Sequence, residues 1–198
     1  MDTTRRALLT GLIALPSLPG IRAGLDINAT QLVARARDQI GVTVSYDPAY
    51  VGMDYPGGDV PRDRGVCIDV IIRAYRDAFG FDFQKAVHED MAAHFSAYPR
   101  RWGLTRTDRN IDHRRVPNIE TWLKRHGHER PAQDWQPGDL ISCYVNDRLP
   151  HIGILSNLKD RDGRWYAIHN IGLGTREDSR IWAYGRQRRF RFLPATNR

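Results

Sequence analysis

Cys67 opens a stretch in which Val66, Val70, Ile71, Ala74 and Ala78 recur at helical spacing and Gly80 supplies a stop. A thiol attacks a carbonyl only as its thiolate, and the free amides of a helix start favour that anion. Asp63 and Asp69 flank the cysteine and oppose the anion, so helix position alone is insufficient and a neighbouring imidazole is needed. His151 meets the requirement. It opens a strand after a turn, in Leu149-Pro150-His151-Ile152-Gly153-Ile154, where a side chain can project from a sheet edge toward a helix terminus. Gly153 falls on the same face and leaves space beside the ring. The following strand ends Ile168-His169-Asn170, and either polar residue could hold the tautomer of His151. His169 is favoured, since it alternates with Ala167 and Trp165 on one face. A developing oxyanion would meet the Cys67 amide and a hydroxyl from the preceding loop, for which Tyr55 is the obvious polar aromatic.

These residues must be positioned by a mixed set of elements. Helices are predicted over 27–40, 65–79, 83–95 and 119–125, the second with Cys67 in its first turn. Apolar runs at 140–145, 151–155 and 165–168 stand at hairpin spacing, with Gln136-Pro137-Gly138-Asp139 launching the first. The stretch 46–64 is rich in turn residues, and 99–118 is a long arginine-rich segment of the kind that is functional or carries hidden structure. Arg186 to Arg191, with Phe190 and Phe192, alternates like an edge strand. The expected fold is α+β, a catalytic helix packed on an antiparallel sheet or small barrel.

In chain order, Cys67 at a helix start, Pro137-Gly138-Asp139-Leu140-Ile141, His151-Ile152-Gly153-Ile154 and Ile168-His169 together resemble the NlpC-type cell-wall peptidases of the papain-like clan. The resemblance implies a papain-like fold, a Cys, a His and a third polar residue, and a tyrosine about a dozen residues before the cysteine, which Tyr55 matches. The flanks depart from that pattern. NlpC-type proteins carry Asp before and Ser-Gly after the cysteine, whereas this chain has Val66 before and Ile68-Asp69 after, so their peptide specificity does not carry over. The strings Arg64-Gly65-Val66-Cys67-Ile68-Asp69-Val70, Val87-His88-Glu89-Asp90-Met91 and 108–115 are similar to the uncharacterised bacterial domain of unknown function 1287 family. Asn170, Asp69 and Arg114 join Tyr55 as candidates for the oxyanion or substrate side.

Export narrows the substrate. Residues 1–23 place Arg5 and Arg6 ahead of an apolar run broken by Pro16 and Pro19, too short to span a bilayer, and Thr4-Arg5-Arg6-Ala7-Leu8-Leu9 looks like a twin-arginine signal. Residues 24–198 are then one domain, expected as a periplasmic or secreted monomer with no stable membrane anchor. A charge of +7 outside the cytoplasm suits an anionic wall polymer such as peptidoglycan peptides rather than nucleic acid. The run 108–115 is a salt-bridged structural loop or a wall that grips substrate carboxylates.

Competing readings remain beside this one. Cys67 and Cys143 are the only cysteines, and a disulfide between them would disable catalysis. Cys143, mid-strand between Ile141 and Val145, reads as a buried structural thiol. His88, Glu89 and His94 suggest a metal, but histidines six apart do not share a helix face, so no metal or cofactor is expected. A zinc site built by adding His113 and Asp112, and a non-catalytic envelope-binding module, are the alternatives.

Overall fold

The computed structural model describes residues 26–194; the expected signal peptide lies outside them. Helix α1 (Ile27–Arg37) is capped by Asp26, whose carboxylate accepts from the amides of Asn28 and Ala29. The chain then runs through β1 (Ser45–Tyr46) and β2 (Arg64–Gly65), a short parallel pair, into α2 (Cys67–Phe79). Gly80 closes α2 at φ 67°, the left-handed cap expected of it. Next come α3 (Phe83–Ala93) and α4 (Val116–Arg125), the latter starting three residues before the sequence pattern and carrying Pro117 in its first turn.

The remaining strands form one antiparallel sheet. β3 (Glu129–Arg130), β4 (Leu140–Val145), β5 (Leu149–Lys159), β6 (Trp165–Asn170), β7 (Thr175–Asp178) and β8 (Gly185–Phe190) are ordered β3-β8-β4-β5-β6-β7. Two expectations change. β8 lies between β3 and β4 rather than at the edge, and the edges are β3 and β7, the latter Thr175-Arg176-Glu177-Asp178 with no apolar alternation. The result is an α+β fold of four helices and a six-stranded sheet.

Alternation along β5 separates two cores. Ile152 and Ile154 join Leu140, Ile168 and Phe190 under α1, α2 and α4, whereas Leu155 joins Ile141, Cys143, Ala167 and Ile181 on the opposite face. Helix α2 is buried nearly all round, including the charged Asp69 and Arg73. Arg73, fully buried, donates to Asp59 (2.9 Å), Thr43 Oγ1 (3.1 Å) and the carbonyls of Val60, Pro61 and Arg64. One guanidinium thus ties the turn-rich loop before Cys67 to the helix after it.

Replacing Arg73 by Met strips that loop of its anchor and leaves Asp59 and three carbonyls without their donor. The expected loss of stability is about 3–5 kcal/mol in urea denaturation, the usual cost of removing one partner of a buried pair. A loss below about 1 kcal/mol would show that the loop is held otherwise.

Candidate active site

The start of α2 is held by a carboxylate three residues into it. Asp69 Oδ2 accepts from the Val66 amide at 2.7 Å, and Arg114 grips the same carboxylate with Nε and Nη2, both at 2.9 Å. Both side chains are almost completely buried. Arg114 also donates to the carbonyl of Ala49 at 3.0 Å, so loop 47–49, the start of α2 and the short 3-10 turn Asp112–Arg114 are fastened at one point. Gly65 is required here: at φ 156° any Cβ would lie 3.0 Å from the Asp69 carboxylate. Asp69 and Arg114 therefore use their charges on each other and build the site rather than grip substrate.

Cys67, the first residue of α2, is buried at 3% exposure against β5. The amides of Ile152, Ile68 and Cys67 itself face its sulfur and favour thiolate, but burial outweighs them and, with Asp69 adding to it, pushes the thiol up to about 12. Helix position alone leaves the thiol protonated, as the acidic neighbours foretold. Cys143 is also a free, buried thiol pushed up to about 12 by burial, and no disulfide joins the two. It stands directly across from His151 in the β4–β5 ladder.

His151 and His169 come together beyond the Ile154–Ile168 pair at which the β5–β6 register stops, each still paired on its other side, with Cys143 and Arg176. His151 Nε2 lies 2.7 Å from His169 Nδ1, and His169 Nε2 lies 3.2 Å from Asp178 Oδ1 on β7. Gly153 makes this possible, because a Cβ there would meet Ile181 at 3.0 Å and the His169 Cβ at 3.2 Å. Burial of Asp178 works against its charge, but hydrogen bonds from His169 and the Arg180 amide prevail and hold it below the usual carboxylate range. An ionised Asp178 only accepts, so His169 donates to it from Nε2, and in the singly protonated ring that leaves Nδ1 bare. His151 must then carry its proton on Nε2, which leaves its Nδ1 lone pair to act as base. Burial, reinforced by the neighbouring His169, pushes the His151 imidazole down to about 3. Near neutral pH the Cys67 thiol and the His151 imidazole are thus both uncharged. Among the described residues no hydrogen bond joins Cys67 to His151; Ile152, next to His151 in sequence, is what touches the sulfur.

The other candidates fall elsewhere. The Asn170 amide donates to the carbonyls of Gly65 (2.9 Å) and Ser45 (3.2 Å), which makes it a strut behind Cys67 rather than a partner of His151. Tyr55 is displaced from its expected role: its hydroxyl donates to Glu89 on α3 at 3.3 Å and its ring packs edge-on to His88. The tyrosine at the Cys67 cleft is instead Tyr46. It lines one cleft together with Cys67, Pro48, Trp102, Arg115 and Pro150. Its hydroxyl is pushed up to about 12 by burial and then by Cys67 and Asp69, so it stays a hydrogen-bond donor. His88 pairs with Asp112 and His94 with Asp90, and no three His, Cys, Asp or Glu side chains among the described residues are grouped to hold a metal.

Asp178 and Tyr46 escaped the sequence reading, whereas Arg115 closes the run 108–115 that it offered as a cleft wall. Gly172 and Gly174 after Asn170 were the available sign of a further hairpin carrying Asp178. Tyr46, twenty-one residues before Cys67, reaches the cleft only through the β1–β2 pairing.

Fold and site together define an α+β protein with a buried helix-start cysteine and a His-His-Asp chain running across β5, β6 and β7. The chain belongs to the family described as a domain of unknown function (DUF1287), which matches residues 33–192. It is 47% identical over 183 residues to the Escherichia coli (strain K12) protein entitled "Uncharacterized protein YijF", covering 90% of this chain and 89% of that one. No helix among the described residues is long and apolar enough to cross a membrane.

Because His151 is about 3 in the folded protein and about 6.5 when unfolded, only the unfolded chain takes up this proton as pH falls through 6.5. The contribution of His151 to stability is complete above that pH and declines toward pH 3. Relative to His151→Gln, the wild type should lose about 2 kcal/mol between pH 7 and pH 5 in urea titrations. Parallel curves for the two proteins would mean that His151 is not held neutral.

Proposed function

We propose that the protein is an exported cysteine hydrolase of papain-like, NlpC-type architecture that opens an amide bond in peptidoglycan peptides through a thioester on Cys67. The observation that carries this reading is the polarity of the chain Asp178–His169–His151, which leaves one imidazole nitrogen of His151 uncommitted on the strand whose Ile152 amide meets the Cys67 sulfur. Three parts of the account come from the sequence: the leader-like residues 1–23, the charge of +7 and the resemblance to wall peptidases.

In the first half-reaction the Cys67 sulfur attacks the amide carbonyl while its proton passes to His151 Nδ1. The Cys67 amide and the Tyr46 hydroxyl donate to the oxyanion. Collapse breaks the C–N bond, and His151 returns the proton to the departing amine. Water then attacks the thioester with His151 as base, the C–S bond breaks and the thiol is restored. A resting pair of neutral groups suits proton transfer concerted with attack.

Cys67→Ala is expected to abolish release of peptide fragments from purified cell wall, while Asp178→Asn, which can present N–H to His169 and reverse the polarity, should lower kcat at least about tenfold with KM within about threefold. Undiminished release by Cys67→Ala would remove the hydrolase and favour an envelope-binding module. Unchanged kcat in Asp178→Asn would remove the relay.

A further inference from the structure

Arg115 lines the same cleft as Cys67 and has no carboxylate to hold. It sits at the N-cap of α4, half-buried, with its guanidinium carbon 4.4 Å from the centre of the Trp102 ring. Its Nη1 is buried and makes no hydrogen bond. Other buried arginines are answered: Arg73 by Asp59, Arg114 by Asp69, Arg189 by Asp139. The acids nearest in charge to Arg115 are Asp112 and Asp108. Asp112 spends Oδ2 on His88 and the Asp108 amide while its buried Oδ1 makes no hydrogen bond to Arg115 or to anything else, and the Asp108 carboxylate accepts from Tyr50 and the Asn110 amide. Burial accordingly works against the charge on Arg115.

A desolvated donor without an acceptor costs free energy that folding has to carry, and such a group is explained when a ligand supplies the acceptor. Trp102 points the same way. It is 55% exposed and held at φ 62°, a conformation rarely adopted by a bulky side chain. Strain at an exposed aromatic gains nothing for the core, and strain of this kind gathers at ligand clamps. The Arg101 guanidinium lies 6.0 Å from the same ring and adds positive potential.

We propose that Arg115, stacked on Trp102, is a carboxylate-binding subsite of the Cys67 cleft, so that the substrate is a peptide with a free carboxylate on the part lying against Trp102. A guanidinium stacked on one face keeps its edge donors in plane for bidentate capture of a carboxylate. The indole left exposed packs on the aliphatic part of the same residue. Arg114, named from the sequence as a possible substrate grip, is committed to Asp69, and the residue after it is the one free to bind. The subsite rests on the reading of this cleft as the peptide-binding site.

The test measures binding without turnover. Calorimetry on the full-length Cys67→Ala variant compares a synthetic peptidoglycan stem tetrapeptide with free carboxylates against the same peptide fully amidated. The free peptide should bind at least tenfold more tightly. Adding Arg115→Gln should remove that difference by weakening the free peptide alone, and Arg115→Lys, which keeps charge but loses the fork, should fall between. Trp102→Ala should weaken both peptides. Equal affinity of the two peptides for Cys67→Ala, equal weakening of both by Arg115→Gln, or binding of neither would overturn the subsite. Carboxylate-dependent binding with no hydrolysis by the wild type would sustain the subsite while removing the hydrolase.

Discussion

The ion pair between Asp69 and Arg114 is the constraint from which the site follows. Taking both charges out of water is costly, and it is tolerated because the fork is bidentate and the spare lone pairs and protons go to the Val66 amide and the Ala49 carbonyl. Those same partners define the site. The pair fixes the first turn of α2, hence Cys67, and draws loop 47–49 and the 3-10 turn Asp112–Arg114 together as cleft walls. With Asp69 given to Arg114, the next arginine is left without an acid and faces the cleft.

Burial sets the electrostatics of the Cys67 thiol and the His151 imidazole. The same desolvation that raises the thiol lowers the imidazole, so the apo protein stores neither thiolate nor imidazolium. What it prearranges is direction. Asp178 orients His169, His169 orients His151, and the chain ends at a base nitrogen; the amides about the Cys67 sulfur favour the charge that forms once the proton leaves. Gly153 and Asn170 serve this arrangement sterically, the first by giving up its side chain to make room for His169, the second by tying the end of β6 to the carbonyl of Gly65.

Much of this was legible in the sequence where local physics decides. The apolar spacing of α2, its Gly80 stop and the runs of β4, β5 and β6 give elements within a few residues of those observed, because each has a buried face and turn signals. The pairing of His151 with His169 follows from strand alternation. What depended on tertiary pairing was hidden. β7 is polar because it is an edge, and so gave no periodic signal for Asp178. β8 looks like an edge from its arginines, yet lies inside the sheet order because Arg189 is neutralised by Asp139 and Arg188 by Glu129. Tyr55 satisfied the expected spacing but is drawn to Glu89, while Tyr46 reaches Cys67 through a two-residue parallel pair too short to read.

The central claim is that Cys67 becomes covalently acylated by a peptide. Rapid acid quench of wild-type protein turning over a defined stem peptide, followed by intact-mass measurement and peptide mapping, tests it directly. The account predicts an adduct equal in mass to the acyl half of the cleaved peptide, located on Cys67 and formed at a rate no slower than turnover. Turnover with no adduct at any quench time, or an adduct on another residue, would contradict it.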